Sequence, residues 1–108
     1  MAIINSPMKW SATALPIITA NSNIAVTTMY LCNKSTSALS CNIFLMPSGS
    51  SDFANSIIYS SLQIAGGDTY VLENERILLD TGDSIQGNVG VSSLTDNLVI
   101  ATVSYTSI

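Results

Sequence analysis

At 108 residues, with 47% hydrophobic but only 9% charged side chains, the chain has room for one hydrophobic core and too few ions to cover its surface with them. The formal net charge is −4, and the three cations, Lys9, Lys34 and Arg76, are scattered. They cannot neutralise a row of phosphates, and no apolar run approaches the ~20 residues that cross a bilayer, so neither nucleic acid nor a membrane is an expected partner.

Serine and threonine cover the surface instead: 17 Ser and 10 Thr make up a quarter of the chain and suit strands whose outward side chains are short and neutral. A surface with so little charge is poorly soluble alone and implies packing against other proteins.

Residues 1–22 carry Pro7 and Pro16 and show no sustained period, so they read as an extended N-terminal arm with one short strand near Leu15 to Thr19. The prolines also interrupt any signal-peptide core, so the arm is expected to belong to the mature protein. Residues 23–108 read as the folded domain. IAVTTMYLCN, then the turn-forming KSTSALS, then CNIFLM up to Pro47 predicts a hairpin of residues 27–33 and 40–46, apolar on both faces. Cys32 and Cys41 would face each other across it, either as two small reduced residues or as a cross-strand bridge. The loop PSGSSDFAN follows, then the strand SIIYSSLQI, ended by Gly66 and Gly67. TYVLENERILLD has helix-favouring composition but reads better as two short strands around a polar turn at Glu73 to Glu75. DTGD, the strand SIQGNVGV, the turn SSLTDN and the period-two strand NLVIATVSYTSI complete the chain. Seven or eight strands at this spacing, with no long helix, predict a single all-β antiparallel β-sandwich, jelly-roll-like or immunoglobulin-like.

From Thr27 onward the order of features resembles small β-sandwich virion proteins of tailed bacteriophages, head-decoration or neck- and tail-associated. The matching pieces are YLCN (Tyr30 to Asn33), NIFLMPSG (Asn42 to Gly49), AGGDTYVL (Ala65 to Leu72), LLDTGDSIQG (Leu78 to Gly87) and VIATVSYTSI. The resemblance implies a virion structural protein, made in the host cytoplasm without a signal peptide, that acts as a capsid decoration (cement) subunit or a small neck or tail component. Its partners would be copies of itself, in a trimer or other cyclic homo-oligomer, and other virion proteins such as the major capsid or tail proteins. A host-surface or carbohydrate-binding module is the alternative, and it would require exposed aromatics in a groove.

Catalysis is argued down by inventory: with no histidine, Ser-His and Cys-His systems are impossible, and no catalytic residue or cofactor is expected. Two cysteines without histidine do not make a zinc site. Five of the seven acids (Asp68, Glu73, Glu75, Asp80 and Asp83) fall between residues 68 and 83. They read as turn acids that bond nearby amides, ahead of a calcium site or a carboxylate pair. Among the aromatics, Trp10 and Phe53 sit in irregular segments; Phe53 is expected to tuck under its own loop, whereas Trp10 is balanced between its own loop and a partner's pocket. Ile3, Ile4, Met8, Trp10, Leu15 and Ile17 make the arm too apolar for a free tail, so they are the expected partner-binding residues. Asn33-Lys34-Ser35 matches a glycosylation sequon without a secretory context.

Overall fold

The computed structural model describes residues 2–8, 14–72, 77–89 and 99–108. Nine strands account for most of them: β1 (Ala2–Met8), β2 (Leu15–Thr19), β3 (Ile24–Asn33), β4 (Leu39–Met46), β5 (Ile57–Ile64), β6 (Thr69–Leu72), β7 (Ile77–Leu79), β8 (Ser84–Val89) and β9 (Val99–Ser107). They form two antiparallel sheets, one in the order β1-β9-β3-β6 with β7 also on β3, the other β2-β8-β4-β5. Because β6 and β7 lie along successive stretches of β3, with Leu72 opposite Met29 and Ile77 opposite Val26, they act as two halves of one strand. Counted so, the order is 1-8-3-6 facing 2-7-4-5, the jelly-roll arrangement rather than the immunoglobulin-like one.

Period-two alternation builds the core. Met29 and Leu31 of β3 with Val99, Ala101 and Val103 of β9 point inward from the first sheet, and Cys41, Ile43, Ile85 and Val89 meet them from the second. A bulge between Val26 and Thr28 switches the inward set of β3 from Ile24 and Val26 to Met29 and Leu31. Another, between Pro16 and Ile18, lets the adjacent Ile17 and Ile18 both be buried.

Two expectations are corrected. Residues 27–33 and 40–46 do not pair as a hairpin, because β3 and β4 lie in opposite sheets. The linker between them crosses one end of the sandwich and is built around Asn33, which is 0% exposed. Its Nδ2 donates to the carbonyls of Ile64 and Ser37, at 2.9 Å each, while its Oδ1 accepts from the amide and hydroxyl of Ser35. Gly66 closes the same end, where a Cβ would lie 2.5 Å from the Thr36 carbonyl carbon. Cys32 and Cys41, on different sheets, are free thiols. The short strand expected near Leu15 to Thr19 is β2, paired with β8, but the rest of the arm is not free: residues 2–8 form β1, paired with β9, so both segments are outer strands of this chain's own sheets. Edge positions explain why the prolines are tolerated, since the amide that each lacks belongs to a strand with one unpaired side.

Candidate functional site

The described charged residues are Lys34, Asp52, Asp68, Asp80 and Asp83, and every one lies outside the strands. Lys34 and Asp68 sit at the pole where β3 ends and β6 begins; Asp52, Asp80 and Asp83 sit at the other, where Ser48 meets Asp83 and Asn23 meets Thr81. Between the poles the described strands form a waist without charge.

The two outer faces of that waist differ. On the second sheet, Asn42 Nδ2 donates to Asn88 Oδ1 and Asn42 Oδ1 accepts the Ser61 amide, so the polar groups satisfy one another. Phe44 and Met46 also point outward there, but Ala14 and Phe53 cover them, with Phe53 edge-on to Phe44 at 5.4 Å between ring centroids. Phe53 thus tucks under its own loop, as expected, and the apolar outer side of β4 is covered by this chain.

The first sheet has no such lid among the described residues. Its register aligns Asn5, Thr102, Tyr30 and Val71 in one outward row and Pro7, Ile100, Cys32 and Thr69 in the next. Toward the other pole Ile3 lies beside Ser104, and Leu78 beside Ala25. Tyr30 is 42% exposed near the centre, and Ile3, Val71 and Leu78 are exposed around it. Among the described residues the strands of this face carry no charge and mix apolar with hydroxyl and amide side chains. Its hydroxyls are partly spent internally, Thr102 donating to Asn5 and Thr27 to Ser104.

A cleft of about 570 Å³ opens between β5 and β7, walled by Leu45, Ile58, Tyr59, Ile77 and Leu79 together with Asp83. The Asp83 carboxylate is already engaged by the amides of Ser48, at 2.9 Å, and Asp80, at 3.1 Å, so it works as the turn acid that the sequence suggested. Asp80 N and Asp68 N take part in turns through the backbone, Glu73 and Glu75 lie outside the described residues, and no group of three or more metal-ligating side chains occurs among the described ones.

Of the residues expected to bind a partner, Ile3, Ile4 and Leu15 are exposed on edge strands. Met8 at 3% exposure and Ile17 at 4% are core residues, which removes them from any partner surface, and Trp10 lies outside the described residues. Sequence reasoning missed the face around Tyr30 because it placed β3 beside β4; that the strand is apolar on both faces was legible, its neighbours on β1, β6 and β9 were not. The Asn33 sequon is closed, since its amide nitrogen is buried and doubly bonded. Burial pushes the Cys41 thiol up to about 11, which makes Cys41 unreactive near neutral pH. Tyr59 and Tyr70 pack edge to face rather than as a coplanar platform. Compared with protein-family models, curated proteins and solved structures, the chain matches none of them.

Proposed function

We propose that this chain is a structural subunit of a tailed-phage virion, a decoration or small neck or tail protein, and that it works by protein contact through the outer face of the β1-β9-β3-β6 sheet. The observation that carries the reading is the neutral waist: a sheet face with Tyr30, Val71, Leu78 and Ile3 exposed and no charge on any described strand is suited to burial against protein. The order of motifs from Tyr30 to the final strand supports the virion assignment. Jelly rolls serve in capsids and in lectins alike, so the fold does not choose between the two. A sugar site wants stacked, exposed aromatics, and among the described residues Tyr30 has no aromatic neighbour in its row, which supports the protein-contact reading.

Such a subunit contributes by mass action, each buried contact being small and many copies together holding a shell or tube. Immunogold labelling of purified phage particles should place the protein on heads or tails, and Tyr30→Asp should abolish its incorporation while leaving its melting temperature within a few degrees of the parent. Recovery of the protein only in the particle-free fraction, or glycan binding lost in Tyr30→Asp, would overturn the reading.

A further inference from the structure

We draw no further inference here: the strongest candidate, the apolar cleft between β5 and β7, carries nothing, because the Asp83 carboxylate in its wall is already engaged by the amides of Ser48 and Asp80 and nothing in the structure shows what covers the apolar remainder.

Discussion

Asn33 concentrates more of the fold's specification than any apolar residue beside it. Its side chain is wholly buried and fully bonded, and removing it strands the carbonyl of Ile64 at a dry site. Asn33→Ala is expected to destabilise by about 2–4 kcal/mol in urea melts, and Asn33→Asp by a comparable amount, because a carboxylate presents an acceptor to those carbonyls. Met8 and Ile3 make a second contrast along one strand. Met8→Ala should lower stability by about 2–3 kcal/mol through a core cavity, whereas Ile3→Ala, at 70% exposure, should stay within about 0.5 kcal/mol. Cys41 adds a pH signature: its folded-state thiol is raised from 9.0 to about 11, so above pH 9 the unfolded chain releases a proton that the folded chain keeps. Stability should therefore be flat through neutral pH and fall between pH 9 and 11, by roughly 2–3 kcal/mol in all, and Cys41→Ala should flatten that limb.

At the scale of strands, β1 and β2 show what alternation alone conceals. Pro7 and Pro16 break the pattern and make the segment look like an arm outside the core, yet each proline occupies an outer strand, where only one side needs amide donors. A single sequence shows that a segment is extended; it does not show which partner completes it. The β3–β4 error has the same origin, since two strands that neighbour in one sheet and two that face across a core carry the same period-two pattern. The one discriminating signal was a polar residue, Asn33, at an inward position of β3, which fits a crossover and not the end of a simple hairpin. By contrast β5, β6, β7, β8 and β9 were legible from β-branched runs bounded by glycine turns. Gly66→Ala is expected to lower stability by about 1–3 kcal/mol, because its methyl would meet the backbone of residue 36 rather than a side chain able to move. Deleting residues 1–8 should abolish the cooperative thermal transition rather than merely weaken assembly.

For the whole molecule, the fold class and the turn role of Asp83 were open to reading, while the face around Tyr30 emerged only once strands distant in sequence were set side by side. Most of that face depends on β9, which ends at Ser107 and lies between β1 and β3. The pairing of Ala2 with Tyr105 closes nearly the entire chain, so folding should be slow for the molecule's size, on the order of milliseconds to seconds by stopped-flow fluorescence. A chain emerging from the ribosome would carry β1 and β3 with no strand yet available to sit between them. A version ending at residue 98 is thus expected to remain unfolded by circular dichroism, and a peptide of residues 99–108 added in trans to restore part of the β signal. The centre of the first sheet is laid down last, and until then its neighbours are exposed edges that only prompt completion, or a chaperone, keeps from pairing with the wrong chain.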